Sequence, residues 1–284
     1  MAIEYTIHHR YGAHMPFFDG AAGRIFYRHW TFTENPAAAV VFLHGFGEHS
    51  GLYHRFAAEL GRHGVDLWAL DQPGHGLSDG TRGDVGDFTD VVSNARALTA
   101  LAVQQGPDVP LVIAGHSLGS VGALLTALED TNRYRAVVVS GAALDPLPWL
   151  NEADSAQPFE LELDALSADP TYRDELVNDP LAFTGADVVG LLSRLFPPAW
   201  RRLEAGLPEL RLPILAVHGE HDTIAPPTAI LGWRDRLPRL RVEVIEGAAH
   251  DVLNEVAHRR VADLIAAHAI AQHAPGAIDA EVPA

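Results

Sequence analysis

Leu111-Val-Ile-Ala-Gly115-His116-Ser117-Leu118-Gly119-Ser120 is the stretch that decides the fold. Four apolar residues run into Gly-x-Ser-x-Gly, and Gly119 to Leu128 then reads as a helix. A strand turning this sharply into a helix holds the middle residue at the tip of the turn in a strained backbone conformation. The residues two before and two after pass so close that only small ones fit. The spacing therefore predicts Ser117 as a nucleophile presented at the end of a buried strand.

The same rhythm continues on both sides. Val40-Val41-Phe42-Leu43, Val65 to Leu70, Ala136 to Val139, Ile214 to Val217 and Val242 to Ile245 are short apolar runs of the kind buried on both faces. Between them, Tyr53–His63, Phe88–Gln104 and Val252–Ala267 read as helices, and Phe17-Phe18 with Arg24–Tyr27 flank a hairpin turn. Strands alternating with helices predict an α/β fold: a mostly parallel, doubly wound sheet with an antiparallel N-terminal entry. About seventy residues after Ser140 carry no strand pattern. Within them Val188, Leu191, Leu192, Leu195 and Phe196 recur at helical spacing, and Pro197-Pro198 is expected to end that run. The expected organisation is a core from 1–144 and 211–270, a helical cap inserted at 145–210, and a frayed tail at 271–284.

A serine hydroxyl needs a base, and the base needs an orienting acid. In this arrangement they follow in the order serine, acid, histidine, each on a loop leaving a strand. His218-Gly-Glu-His-Asp222 leaves the run Ile214–Val217, which selects Asp222; Gly247-Ala-Ala-His250 leaves Val242–Ile245, which selects His250. Asp145 is a rival acid after the fourth parallel strand, while Glu220 and Asp251, beside the selected pair, should point elsewhere. The oxyanion donors expected are the N–H of Leu118 and that of Phe46, in the loop His44-Gly-Phe-Gly47. His44 is expected to order that loop. His218 and His221, three apart, lack a third ligand, so no metal site is expected.

Composition narrows the function further. A formal charge of −17 opposes binding to nucleic acid and to anionic membranes. With no Lys and no Cys there is no Schiff-base lysine, disulfide or cysteine nucleophile. Neither a signal peptide nor a membrane-spanning apolar stretch is evident, so a cytoplasmic location is expected.

With these residues placed, the chain resembles the monoacylglycerol lipase-like branch of the α/β-hydrolases, which also takes in lysophospholipases and S33-type serine hydrolases. His44-Gly-Phe-Gly-Glu-His-Ser-Gly-Leu-Tyr53 resembles the HGxGEHSxRY stretch of that branch, and Asp71-Gln-Pro-Gly-His-Gly-Leu-Ser78 its D-x-x-G-H-G-x-S turn. Arg82-Gly83, Phe88, Asp179-Pro-Leu181, Leu203-Glu204 and Leu210–Pro213 fit as well, so the resemblance runs from Val40 to about Ala266. It carries the triad onto Ser117, Asp222 and His250 and the oxyanion donors onto Phe46 and Leu118. Leu52 replaces the usual Arg, and Leu118 and Ser120 replace the more common Met and Gly. The resemblance implies the α/β-hydrolase fold, no cofactor, and cleavage of small ester or lipid substrates, here medium-chain monoesters. Leu191, Leu192, Leu195 and Phe196 form the apolar face of the expected cap, which either lines an acyl site for medium chains or packs against the sheet. Hydrolysis of lactones, carbon–carbon bonds or peptides, or ligand sensing with slow turnover, remain open alternatives.

Overall fold

The computed structural model describes residues 16–147, 150, 162–185 and 187–271. The expected tail beyond Ala271 and the first residues of the chain lie outside that range, as does part of the expected cap.

Alternation of side chains explains the sheet. Its eight strands are β1 (Phe17–Gly20), β2 (Gly23–Trp30), β3 (Ala38–Leu43), β4 (Val65–Leu70), β5 (Leu111–His116), β6 (Ala136–Ser140), β7 (Ile214–Gly219) and β8 (Leu240–Ile245). They lie in the order β1-β2-β4-β3-β5-β6-β7-β8. β1 and β2 form an antiparallel hairpin closed over Gly20 and Gly23, and β2 joins β4 antiparallel; all later pairs are parallel. Val41, Leu43, Ile113, Val137 and Val139 face one hydrophobic layer, whereas Val40, Phe42, Val112, Val138 and Leu215 face the other. Both faces of the central strands β3 to β7 are thus dry, as a sheet with helices on each side requires, whereas β8 at the edge leaves Val244 exposed.

The flanking helices are α1 (His54–Arg62), α2 (Phe88–Gln105), α3 (Leu118–Glu129), α4 (Leu163–Leu166), α5 (Pro170–Asn178), α6 (Val188–Gly206), α7 (Pro227–Leu231) and α8 (His258–Ala271). Their starts are chemically marked: Asp87 caps α2 with a reciprocal box to Asp90, Asp169 caps α5 and Asp187 caps α6. Between β6 and β7 the regular elements among the described residues are helices, namely α4, α5 and α6, with a 3-10 turn at Leu207–Glu209. Among the described residues no helix is long and apolar enough to cross a membrane.

Two boundaries differ from the sequence expectation. Pro197 and Pro198 lie inside α6, which continues to Gly206. Two backbone hydrogen bonds are lost there, but the buried stripe carries on through Ala199 and Leu203, and that packing holds the helix together. The last helix begins at His258, not near Val252. Residues 251–257 instead form turns, buried up to Glu255, whose carboxylate accepts from Val256 N–H and ties the segment to the N–H groups of Ala168 and Ala249.

Candidate active site

β5 ends in the turn that its glycines allow. Ser117 sits at φ 50° and ψ −119°, the one non-glycine residue with positive φ among those described. A Cβ on Gly115 would lie 2.1 Å from the Gly119 carbonyl oxygen, and one on Gly119 would lie 2.1 Å from that of Leu43. Strand and helix touch through backbone, and the serine takes the strain. Ser117 N–H donates to the Ser140 carbonyl at 2.8 Å, while the Ser120 hydroxyl bonds the Gly115 and Ser140 carbonyls, fixing the turn to β6.

The loops after β7 and β8 bring the other two residues together. His250 Nδ1 lies 2.8 Å from Asp222 Oδ2, and both side chains are buried. The other Asp222 oxygen accepts from Ile224 N–H at 2.9 Å and Ala225 N–H at 2.8 Å, so the carboxylate cannot swing away. Burial works against charge on both groups, yet their mutual attraction prevails. The His250 imidazole is held above its usual pKa and the Asp222 carboxyl below its own. Because Nδ1 faces the carboxylate, it carries the proton in the neutral ring and leaves Nε2 as the basic nitrogen. The ring packs against His116, with centroids 4.8 Å apart.

Ser117 and His250 open onto one narrow, mainly apolar cavity that reaches solvent. Among the described residues the Ser117 hydroxyl makes no hydrogen bond, a looseness common before substrate binds. Phe46 and Leu118 line the same cavity, and among the described residues neither N–H has a protein acceptor. Their loop is held from behind. His44 Nε2 accepts from Gln72 N–H at 2.8 Å, consistent with an ordering part, and burial keeps this ring well below its usual pKa. Gly47, at φ +78°, passes so near Phe183 that the two share a 2.9 Å backbone hydrogen bond.

Of the four α6 residues expected at an acyl site, Leu192 and Phe196 line the cavity, joined by Val188 one turn earlier. Leu191 and Leu195 are buried but not among the lining residues; they sit about 100° round the helix and pack into the main core. Phe183, Leu147 and Leu176 complete much of the apolar wall and carry no sequence signal that sets them apart from ordinary core. The rival acids stay away. Asp145 bonds the Trp233 side chain, and Glu220 accepts from Gly247 N–H. His218 is buried and bonds Ala142 N–H, whereas the His221 side chain is exposed, so the two do not converge on a metal.

Comparison with known proteins fits this geometry. The family model described as "Serine aminopeptidase, S33" matches residues 34–257. The chain is 31% identical over 265 residues to a monoacylglycerol lipase of Mycolicibacterium smegmatis, covering 87% of this chain and 93% of that protein. It is 29% identical to the human monoglyceride lipase, with 82% and 84% covered. A crystal structure of a Paleococcus ferrophilus monoacylglycerol lipase shares the fold, with a TM-score of 0.73 at 20% identity over 87% of this chain and 99% of that one. A sheet with this strand order, a strained serine after β5 and a family match over most of its length make the chain a member of the serine aminopeptidase S33 family of α/β-hydrolases.

Proposed function

We propose that the protein hydrolyses carboxylic monoesters through an acyl-enzyme, with medium-chain monoacylglycerols or similar esters as substrates. The observation that carries this reading is the strained Ser117 sharing an apolar cavity with the His250–Asp222 pair. His250 Nε2 takes the Ser117 proton as Oγ attacks the ester carbonyl. The N–H groups of Phe46 and Leu118 receive the oxyanion. His250 then protonates the departing alcohol, and water activated by the same ring releases the acid. No cofactor enters this scheme. The segment from 145 to 210 acts as the cap, and the acyl chain lies along Val188, Leu192 and Phe196.

The names of the relatives support a lipid monoester, and the wall of the cavity agrees with them. An aminopeptidase needs a free acid to hold the substrate's ammonium group. The acid at this cavity, Glu48, already accepts from Tyr53, Tyr172 and Gly45. The test is an activity matrix of acyl length against leaving group, with lactones, diketones and aminoacyl anilides alongside. Maximal turnover on medium-chain monoesters is expected. A maximum at acetyl would remove the acyl site from the account, and preference for anilides or diketones would replace the ester reading.

A further inference from the structure

Beside the cavity lies a buried acidic cluster that the reaction scheme does not use. Glu48 is 5% exposed and Asp251 is fully buried. Polar atoms of Glu48, Asp251 and His116 all lie within 4.8 Å of one another. Glu48 Oε2 accepts from Gly45 N–H at 2.8 Å and from the Tyr53 hydroxyl at 2.6 Å, and Oε1 accepts from the Tyr172 hydroxyl at 2.8 Å. Asp251 Oδ2 accepts from Asn254 Nδ2 at 2.9 Å. Its Oδ1 is buried with no donor and stands 4.0 Å from His116 Nε2.

The charge of this cluster does not balance as it stands. Among the described residues no arginine pairs with either carboxylate. His116 supplies no cation, because burial pushes it down to about 4 and leaves it neutral at ordinary pH. Burial and the neighbouring Asp251 push the Glu48 carboxyl well above the usual carboxylate range. Two ionised carboxylates side by side in a dry site repel, and the usual remedy is one proton between them. Such a proton also gives Asp251 Oδ1 the donor it otherwise lacks. A cation would fit less well, since three hydrogen-bond donors already point at the Glu48 oxygens.

Each member of the cluster borders a part of the catalytic machinery. Glu48 holds Gly45 next to Phe46, His116 precedes Ser117, and Asp251 follows His250. Tyr53 comes from the entry to α1 and Tyr172 from α5. The backbone N–H groups of His250 and Asp251 also bond the carbonyls of Ala165 and Leu166 at the end of α4. We propose that Glu48 keeps one proton and turns it toward Asp251, and that this acid pair is a positioning device. It locks the oxyanion loop and the cap helices to the segment that carries His250. The proposal rests on the reading of Ser117 and His250 as the reacting residues, but the proton itself does not.

Two arms test it. Infrared spectra of the folded protein at about pH 8, where ordinary carboxyls are ionised, should contain a protonated carboxylic acid band that Asp251→Asn abolishes. In steady-state kinetics Asp251→Ala should lower kcat by about tenfold or more with little change in KM. Asp251→Asn, whose amide N–H replaces the Glu48 proton, should recover most of that loss. No acid band in the wild type, or Asp251→Asn as impaired as Asp251→Ala, overturns the proposal. So does inactivation by a chelator without an acid band, which would assign the neutralising charge to a cation. If Asp251→Ala does not fold, the infrared comparison of wild type and Asp251→Asn still decides. Fluorophosphonate labelling of the wild type reports on Ser117 separately. A protein with the band and no label would keep the proton pair and lose the serine mechanism.

Discussion

Replacing Ser117 by Gly should make the protein more stable while abolishing its activity. Its backbone, at φ 50° and ψ −119°, lies where only glycine is comfortable, and the side chain gives α3 no capping hydrogen bond in return. Strain of this kind amounts to about 1–3 kcal/mol. Glycine gives back about 0.4–1 kcal/mol through the greater freedom of its unfolded chain. The net gain of Ser117→Gly over Ser117→Ala is therefore about 0.5–2 kcal/mol, since alanine keeps the Cβ and the strain. For a chain of this size that corresponds to a rise in Tm of roughly 1–3 °C. Both variants lack the hydroxyl, so the comparison isolates the backbone from the chemistry. The assay is urea and thermal unfolding of the two variants side by side, followed by circular dichroism. Equal stability, or a less stable glycine variant, would refute the claim that the turn is held under strain by its surroundings.

Three further outcomes follow from the site. Asp222→Asn removes the charge that holds His250 above its usual pKa and disturbs its tautomer. Turnover should fall by about three to four orders of magnitude with KM little changed. In the wild type kcat/KM should rise with pH, as a base that must be neutral requires, with a midpoint above the ordinary imidazole value of about 6.5, and Asp222→Asn should move that limb to lower pH. Gly47→Ala places a Cβ 2.1 Å from the Phe183 carbonyl oxygen on a backbone at φ +78°. Displacing the Phe46 N–H should cost roughly a hundredfold in kcat, and an unchanged rate would argue against this loop as an oxyanion donor. Burial holds His75, His116, His218 and His268 down at about 4, so unfolding takes up protons between that value and the unfolded imidazole range. Stability should fall as pH drops through that window, by up to about 1.4 kcal/mol per pH unit for each ring; flat urea midpoints from neutral pH to acid would contradict it.

The strands were legible because burial on both faces leaves continuous apolar runs, as in Val40–Leu43 and Ala136–Val139. The strained turn at Ser117 and the meeting of Asp222 with His250 were legible because each of these residues follows a strand, and local chemistry at a strand end survives in the sequence. Where tertiary contacts overrule local propensity, the reading failed. Pro197 and Pro198 look like a stop, but the buried stripe beyond them keeps α6 going. Val252 has a helical setting, but Glu255 ties the turns around it to Ala168 and Ala249. The α6 stripe was visible as apolar, yet all four side chains are buried in the same core, and only their place around the helix lets Leu192 and Phe196 also reach the cavity. The Glu48–Asp251 pair was illegible for a plainer reason: two acids 203 positions apart in the numbering meet only once the fold has formed.

The reactivity of one hydroxyl decides the mechanism. Treatment with a fluorophosphonate followed by intact mass and peptide mapping should find one adduct per chain, on Ser117, with labelling slowed severely by His250→Ala. An adduct on another residue, or full ester hydrolysis by a protein that leaves Ser117 unmodified, would contradict it.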